Sequence, residues 1–454
     1  MMTCLLYGGI KSLLRCDEAE VVEGIARYVI SQYRTVRVVS RLVELTRHTP
    51  FPAVLTLLAW SRSYLAISPE GPLAGVAWIA RLSNERRAIE PLILMAPELR
   101  WTELKFQSRM SMRQSLRLTL RNLKDIRRVY KIGRRMHLQF ASFKAMRVIE
   151  LLGYYARYLE LFRDGNFDVA LTSNHSNPHG IAFNLAARKC GVPVVLISHG
   201  MPVRPVARLK YDLAVVHSEA ARKTYLDEGC EIDRALIHGR KQDYVSMRAD
   251  PLPPKINVGI FLCKDVNEGR LKALVDNLLA NDRVASILIR PHPKNLWQNM
   301  DSWVASHENT RLRQSCKPAV GDDLEGLDIV FGGNSSVLID SVTAGIPSAY
   351  VDELDHGSAD LHRLVASGLV YWSDVDPDLD DIWRFYQQPG WTQTLRTFAN
   401  IDEDESTVLA AARDVIVGAA LRGRPSQNNQ PMGGPRRAAT EGRPYSYTAG
   451  AKDD

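Results

Sequence analysis

The chain has 454 residues, 45% of them hydrophobic and 24% charged, which is the composition of an ordinary folded protein with enough chain for two domains. Its six cysteines are scattered, which excludes a zinc framework or a disulfide scaffold, and the N-terminus lacks a secretory signal pattern, so we expect a cytoplasmic protein. The net charge of +7 predicts anionic partners, but the basic stretch lacks the aromatic pattern of nucleic-acid binding.

The first strongly patterned segment covers residues 104–149 and is rich in Lys and Arg. Arginines recur there every four residues, at Arg109, Arg113, Arg117 and Arg121. On a helix this spacing forms one stripe, and apolar residues keep helical spacing beside it, so we predict a basic amphipathic helix followed by another helical stretch. The stripe is interpreted either as a solvated face or as a contact with an anionic membrane surface or a phosphate-bearing acceptor.

Beyond this segment, short β-branched runs alternate with helical stretches, which is typical of a parallel sheet covered by helices. The runs that we predict as strands are 168–171, 192–197, 213–216, 256–261, 286–289, 328–331 and 348–351. Prolines interrupt the alternation near 250–254, so we place an N-terminal Rossmann-like domain over 1–250 and a C-terminal one over 251–420. Residues 421–454 have almost no aliphatic side chains, which predicts a disordered tail.

The strongest local motif is Gly332-Gly333-Asn334-Ser335-Ser336, between a buried run and the start of a predicted helix. Glycine lets a ligand approach the backbone, hydroxyl groups can donate to oxygen atoms, and a helix start presents partial positive charge, so this turn suits a phosphate group. A simple serine N-cap is the structural alternative. The motif is not a P-loop, because the Gly and Lys-Ser spacing differs.

A second motif, Arg290-Pro291-His292-Pro293, directly follows the apolar run 286–289. Open α/β sheets bind ligands at the carboxyl ends of their strands. Arg290 offers a fork of donors to a phosphate group, and the prolines restrict the direction of the His292 imidazole. We therefore predict a phosphate contact here, with an ordinary turn as the alternative.

Histidines also follow the predicted strands of the N-terminal half. His199 and Gly200 come after the run 192–197, whereas His175 and His179 come after 168–171. His199 can act as a general base, orient a substrate or cap the turn. The i,i+4 spacing of His175 and His179 occurs in metal sites, but Pro178 and the absence of a Glu between them argue against a metal ion.

The Asp374-Val375-Asp376 run is a second candidate for a metal site. An Asp-x-Asp pair can hold a divalent ion that bridges a nucleotide diphosphate. This pair lies in an acidic, Pro-containing stretch that continues through Asp381, so we interpret it as a solvated loop. We predict no metal site and no cofactor.

Four motifs together resemble a known family: His-Gly-x-Pro at 199–202, Arg-Pro-His-Pro at 290–293, Gly-Gly-Asn-Ser-Ser at 332–336 and Ala-Gly-Ile-Pro at 344–347. Their order and spacing resemble the GT-B glycosyltransferases of bacterial surface polysaccharides, nearest to the CDP-glycerol glycerophosphotransferases, the polysialyltransferases and the capsule Kdo transferases. The resemblance implies two facing Rossmann-like domains and a metal-independent reaction. It places the donor nucleotide on the C-terminal domain and the acceptor on the N-terminal domain.

The resemblance also implies roles for individual residues. Arg290 and His292 would contact the nucleotide and phosphate of the donor, and His199 would be the base near the acceptor. The remaining donor-site residues would be Gly333, Asn334, Ser335, Ser336 and Asp340, and the acceptor side would include His175, His179 and Gly200. Met201 stands where the family has a small hydroxyl residue, so the match to the family pattern is incomplete. The identity of the donor therefore stays open.

We expect a glycosyltransferase or polyol-phosphate transferase that uses a nucleotide-activated donor and a surface polysaccharide or lipid-linked acceptor. Its place would be the cytoplasm, with peripheral association at the inner face of the plasma membrane. One alternative is a UDP-sugar epimerase, which shares the fold and needs no acceptor. The other is a non-catalytic scaffold in polysaccharide assembly.

Overall fold

The computed structural model contains two Rossmann-like α/β domains, each built on a largely parallel sheet with helices on its faces. The residues that the structure describes are 61–107, 143–175, 177–202, 206–238, 245–247, 251–293, 299–307, 311–315, 319–356, 360–399 and 405–422, with Trp297 and a few isolated positions before residue 121. The α/β class and the two parallel-sheet domains predicted from the sequence are confirmed.

The first domain is built on one large sheet, beside which β6 and β8 form a separate parallel pair. The described strands of the domain are β1 (Ile67–Glu70), β2 (Ala74–Ile79), β3 (Trp101–Phe106), β4 (Asn166–Thr172), β5 (Val194–Ile197), β6 (Lys210–Tyr211), β7 (Leu213–Val216), β8 (Glu231–Ile232) and β9 (Ala235–Ile237). Its described helices are α1 (Ser83–Met95), α2 (Phe143–Asp164), α3 (Pro178–Lys189) and α4 (Glu219–Asp227). The sheet order is β1-β3-β2-β4-β5-β7-β9, and only the β1–β3 pair is antiparallel.

Both faces of this sheet are buried, which explains why its central strands read as continuous apolar runs. Along β4, Val169 and Leu171 point into one core, and Ala170 points into the other. The Ala170 core is filled by α2 and α3, where the rings of Tyr158 and Phe183 meet edge to face at 5.2 Å. The sheet is therefore a rigid support for the residues at its carboxyl edge.

The second domain has a six-stranded, wholly parallel sheet in the order β12-β11-β10-β13-β14-β15. The strands are β10 (Ile256–Phe261), β11 (Val284–Arg290), β12 (Leu312–Gln314), β13 (Ile329–Gly332), β14 (Ser348–Val351) and β15 (Tyr371–Ser373). The described helices are α5 (Glu268–Ala280), α6 (Met300–Ser306), α7 (Val320–Leu324), α8 (Val337–Thr343), α9 (Leu379–Tyr386) and α10 (Trp391–Phe398). This is the dinucleotide-binding Rossmann order, and it reverses between β10 and β13.

The chain crosses between the domains twice. In the linker, the Val245 amide donates to the Thr343 carbonyl oxygen at 3.0 Å. Gly345 lies against the same linker with a φ of +76°, and a Cβ there would be 2.9 Å from the carbonyl oxygen of Ser246. Helix α11 (Glu405–Arg422) then returns to the first sheet, where Arg413 donates to the carbonyl oxygen of Met95 at 2.8 Å.

The carboxyl edge of the first sheet faces the second domain. Met201, just beyond β5, packs against the apolar cores of both domains. Helix α4 begins just beyond β7 and packs against α10 of the second domain. Residues that follow the parallel strands of the first sheet therefore lie next to the other domain, as the resemblance implies.

Several sequence expectations are corrected or extended. The basic segment 104–149 does not begin as a helix, because Lys105 and Phe106 end strand β3 and pair with β1. Strands β1 and β2 and helix α1 lie before residue 100, where the sequence analysis predicts no strand. Helix α11 begins within the range 251–420 predicted for the second domain, yet its apolar side chains pack on the first sheet, whose face they complete. The predicted tail beyond Arg422 lies outside the described residues.

Two further observations concern membranes. Arg113, Leu116, Arg117 and Leu120 are helical and exposed, whereas Arg109 and Arg121 lie outside the described residues. No helix among the described residues is both long and apolar enough to cross a bilayer.

Candidate active site between the two sheets

His199 lies at the carboxyl edge of the first sheet, two residues beyond β5. Its Nδ1 atom is 2.8 Å from the carbonyl oxygen of Ser173 and 3.0 Å from the Ser173 hydroxyl oxygen. A carbonyl oxygen can only accept a hydrogen bond, so Nδ1 carries the proton and donates. The neutral ring then has a lone pair on Nε2, which is the form that a general base requires.

The turn that holds His175 is anchored by a buried polar network beyond β4. The Asn174 amide group donates to the carboxylate of Glu85 at 2.5 Å, and the backbone amide of Arg81 donates to the same carboxylate at 2.6 Å. Gly180 of α3 packs directly on this turn, since a Cβ there would be 2.5 Å from the Asn174 carbonyl oxygen. Glu85 is fully buried and joins the ends of β2 and β4, between which the strand order reverses.

His179 is buried at the start of the helix that follows this turn. It lies on α3 with 1% of its surface exposed, and its ring packs between those of Phe106 and Tyr154, each at a centroid distance of 6.1 Å. Buried against two aromatic rings, it cannot reach an acceptor. This burial corrects the expectation of His179 as an acceptor-side residue, because the first turn of α3 directs its ring into the core.

The predicted Gly-Gly-Asn-Ser-Ser motif forms the turn beyond β13, at the point where the second sheet reverses its strand order. Asp355, beyond β14, holds this turn. Its carboxylate accepts from the Asn334 backbone amide at 2.7 Å and from the Asn334 side-chain amide at 3.0 Å. Gly333 is needed here, because a Cβ would collide with the same carboxylate.

The two serines of the turn have different environments. Ser335 Oγ accepts from the backbone amide of Val337 at 3.3 Å. Ser336 is the residue before α8, but its hydroxyl makes no capping bond, so the plain N-cap alternative does not describe it. Asp340 lies on the first turn of α8, where its amide donates to the Ser336 carbonyl oxygen at 3.3 Å. The Ser336 hydroxyl is thus the better placed to contact a ligand.

Arg290 is held by its own domain. It forms an ion pair with Asp323, which is 3% exposed, and it donates to the Ala319 carbonyl oxygen at 3.1 Å. Its charge is therefore already neutralised, which weakens the predicted phosphate contact. His292 is half-buried two residues beyond β11, at the same edge of the sheet.

Two aspartates complete the survey of the second edge. Asp265, beyond β10, has a buried Oδ2 atom with no hydrogen-bond partner among the described residues. The Asp374 carboxylate instead accepts from Arg270 at 2.6 Å, and hydrogen bonds from Val375 and Arg270 hold its pKa below the usual range. Among the described residues, no cluster of three or more His, Cys, Asp or Glu side chains has the arrangement of a metal site.

Comparisons with known proteins give structural likeness alone. No protein-family model and no curated protein matches the chain. Among solved structures, it is similar to the calicheamicin glycosyltransferase CalG4, with 11% identity, a TM-score of 0.47 and coverage of 78% of this chain and 100% of that one. It is also similar to UDP-GlcNAc 2-epimerase from Neisseria meningitidis, with 14% identity, a TM-score of 0.41 and coverage of 77% of this chain and 100% of that one. A third similar structure is the wall teichoic acid polymerase TagF, with 12% identity, a TM-score of 0.40 and coverage of 85% of this chain and 98% of that one. At these values the likenesses carry no argument about chemistry.

Sequence analysis missed the residues that hold the site together. Glu85, Asp323 and Asp355 are carboxylates far along the chain from the groups they bind, and Tyr225 reaches His175 from α4. No local spacing connects these partners. The one usable signal is Gly333, because two successive glycines after a strand indicate a close approach by another group.

Proposed function

We propose that this protein is a transferase of the GT-B type, which moves a glycosyl or polyol-phosphate group from a nucleotide-activated donor to a hydroxyl group. The acceptor is a surface polysaccharide or a lipid-linked precursor of one. The donor occupies the second domain beside Ser335, Ser336 and Asp340, and the acceptor occupies the first domain beside His175, His199 and Gly200. The reaction needs no metal ion.

The observation that carries this proposal is the tautomer of His199. Its Nδ1–H bond to the Ser173 carbonyl oxygen leaves Nε2 as a proton acceptor, at an edge that faces the other domain. The two edges differ in a way that suits transfer between two bound molecules. One presents a proton acceptor, and the other presents hydroxyl groups at the reversal point of a Rossmann sheet, where nucleotides bind.

In the proposed reaction, the acceptor oxygen attacks the donor carbon or phosphorus while its proton passes to Nε2 of His199. The bond between the attacked carbon or phosphorus and the nucleotide breaks, and the electron pair of that bond leaves with the nucleotide phosphate. Hydroxyl donors from Ser335 and Ser336, with His292, stabilise the charge that develops on the leaving group. Arg290, paired with Asp323, ends β11 beside this site.

A nucleotide screen tests the proposal. A ligand that binds only the folded state raises the melting temperature, by an amount that follows RT ln(1 + [L]/Kd). We expect one of CMP, CDP, UDP or UDP-sugars to stabilise the protein, and the matching donor to be consumed in the presence of a polysaccharide or polyprenyl-linked acceptor. Consumption of a UDP-sugar without acceptor, giving an epimer, would replace the proposal by the epimerase. If no nucleotide raises the melting temperature, the non-catalytic scaffold in polysaccharide assembly would be the remaining alternative.

Metal independence is tested in the same assay. We expect turnover to survive EDTA, because phosphate charge is met by hydroxyl and imidazole groups. Inhibition that a divalent ion reverses would contradict this part of the proposal.

Association with anionic membranes is proposed from the exposed side chains of Arg113, Leu116, Arg117 and Leu120, which place two apolar and two basic groups on neighbouring helical turns.

A further inference from the structure

His175 occupies the ligand-binding position of the first sheet. It follows β4, and the strand order reverses between β2 and β4, where open α/β sheets bind their ligands. The residue is 6% exposed, and its Nε2 atom has no hydrogen-bond partner among the described residues. An imidazole nitrogen that is not paired within the protein, at a position where such sheets bind ligands, is available to a bound partner.

A tyrosine determines which nitrogen of His175 carries the proton. Tyr225 is fully buried, and its hydroxyl oxygen is 2.9 Å from Nδ1 of His175. Burial raises the pKa of Tyr225 well above its usual range, so the phenol keeps its proton. The Ser198 hydroxyl also lies near Tyr225, but its own proton is donated to the Gly200 carbonyl oxygen at 2.6 Å. The Tyr225 proton therefore has two possible acceptors, the Ser198 oxygen and Nδ1 of His175. An imidazole nitrogen is a stronger acceptor than a hydroxyl oxygen, so Tyr225 donates to Nδ1, and the imidazole proton resides on Nε2.

His175 therefore stays a donor over the whole physiological range. Burial, with the nearby His199, lowers its pKa to about 3, so the ring remains neutral. His199, on the neighbouring strand, has the opposite tautomer, with its proton on Nδ1 and its lone pair on Nε2. The two imidazoles thus present one Nε2 donor and one Nε2 acceptor at adjacent strand ends.

A hydroxyl group is the ligand that matches this pair, because its oxygen accepts one hydrogen bond while its proton is donated to another. We propose that His175 donates from Nε2 to the attacking hydroxyl oxygen of the acceptor, and that Tyr225 is the positioning residue that fixes this tautomer. The inference rests on the proposed transferase function and adds a hydroxyl-orienting role to it. The hydrogen bond from His175 orients the acceptor hydroxyl so that a lone pair of its oxygen points at the donor, and His199 removes the proton of the same hydroxyl.

The tautomers are tested without any activity assay. In protein labelled with ¹⁵N-histidine, we expect His175 to give an Nε2–H pattern that does not titrate between pH 5 and 8, assigned by its loss in His175→Gln. Tyr225→Phe removes the bond to Nδ1 and should give a mixture of tautomers. An Nδ1–H pattern for His175 in the wild-type protein would overturn the proposal.

The function of the pair is tested by kinetics, with a matched control. Tyr225→Phe should raise the acceptor KM about 3- to 10-fold, as expected for one neutral hydrogen bond, and leave nucleotide affinity unchanged. Tyr211→Phe is the control, because Tyr211 is equally buried, packs on Tyr225 at 6.5 Å, and its hydroxyl has no hydrogen-bond partner among the described residues. Equal effects of the two substitutions on acceptor KM would reject the positioning role.

A double variant separates this role from simple packing. Glutamine carries an amide donor and has no tautomer to fix, so adding Tyr225→Phe to His175→Gln should cost almost nothing further in acceptor KM. Additive losses would mean that Tyr225 acts independently of His175, and would reject the inference. If no donor and acceptor are ever converted, the proposed function fails, whereas the labelled histidines still report whether the tautomer assignment is right.

Discussion

The carboxyl edges of the two sheets are built from different chemistry. The edge of the first sheet is rich in imidazoles, whose Nδ1 atoms are hydrogen-bonded to the Ser173 carbonyl group and the Tyr225 hydroxyl group. The edge of the second sheet is rich in carboxylates, and its central one, Asp355, binds backbone and side-chain amides of the Asn334 turn. In the proposed reaction, groups of the first edge move or direct a proton, whereas the carboxylate of the second edge shapes a turn.

The two domains share one architecture, and the difference between their edges indicates how they would divide the proposed reaction. A proton acceptor must have its lone pair free and its other nitrogen occupied, which a neighbouring backbone carbonyl achieves. A phosphate-binding turn must hold its shape without a bulky side chain, which glycine and a buried carboxylate achieve together. In the proposed reaction, the same sheet geometry supports catalysis in one domain and ligand binding in the other, and the following substitutions test that division.

The largest effect is expected from His199→Ala. Loss of a general base typically lowers turnover by roughly 10² to 10⁴-fold, and donor affinity should be retained because the donor lies on the second domain. His307→Ala serves as control, since His307 directly follows α6, at the end of that helix remote from the carboxyl edge. Steady-state kinetics and nucleotide calorimetry give the two readouts. Near-normal turnover would make His199 a structural residue and move the search for the base to Asp265, with its unpartnered oxygen.

The next effect is a pH dependence of stability that comes from the first edge. Because the pKa of His175 falls from 6.5 to about 3 on folding, the unfolded chain binds one more proton than the folded one between these values. Stability is then complete above pH 6.5 and falls by up to about 1.4 kcal/mol per pH unit below it. Urea unfolding of the wild type and of His175→Gln should show the steeper loss only in the wild type. Parallel pH profiles would contradict a neutral, buried His175.

On the second edge, Ser335→Ala with Ser336→Ala should weaken nucleotide binding by about 1 to 3 kcal/mol. Most of this loss should come from Ser336, because Ser335 Oγ already accepts from the Val337 amide, whereas Ser336 makes no capping bond. Ser306→Ala, an exposed serine that bonds only to its own helix, is the control. Calorimetry with the nucleotide found in the screen measures the difference. Unchanged affinity would remove the turn from the donor site.

The sequence could predict the parts of this site that depend on local pattern. Strands buried on both faces appear as β-branched runs, and residues just after them, such as His199 and Ser336, fall at the carboxyl edge by topology alone. His175 and His179 show the limit, since four residues separate them, but only the structure reveals that a helix buries the second one. Partners such as Asp355 and Tyr225 come from remote segments, so only the folded chain brings them to the site.

The smallest effect is expected from Asp355→Asn, which tests whether the second edge is shaped by its carboxylate. Asparagine has one acceptor where the carboxylate has two, and its amide would face the side-chain amide of Asn334. It would also face the thiol of Cys263, whose pKa burial and the nearby Asp355 raise well above the usual range, so that it stays protonated as a donor.

The turn should then relax, and nucleotide affinity should fall by about 1 kcal/mol, roughly 5-fold, while turnover at saturating donor stays close to that of the wild type. Glu353→Gln is the matched control, because Glu353 is exposed and lies two residues away on the same loop. If Asp355→Asn lowers turnover and leaves nucleotide affinity intact, the carboxylate takes part in the chemistry, and the division of labour between the two edges would be wrong at this residue.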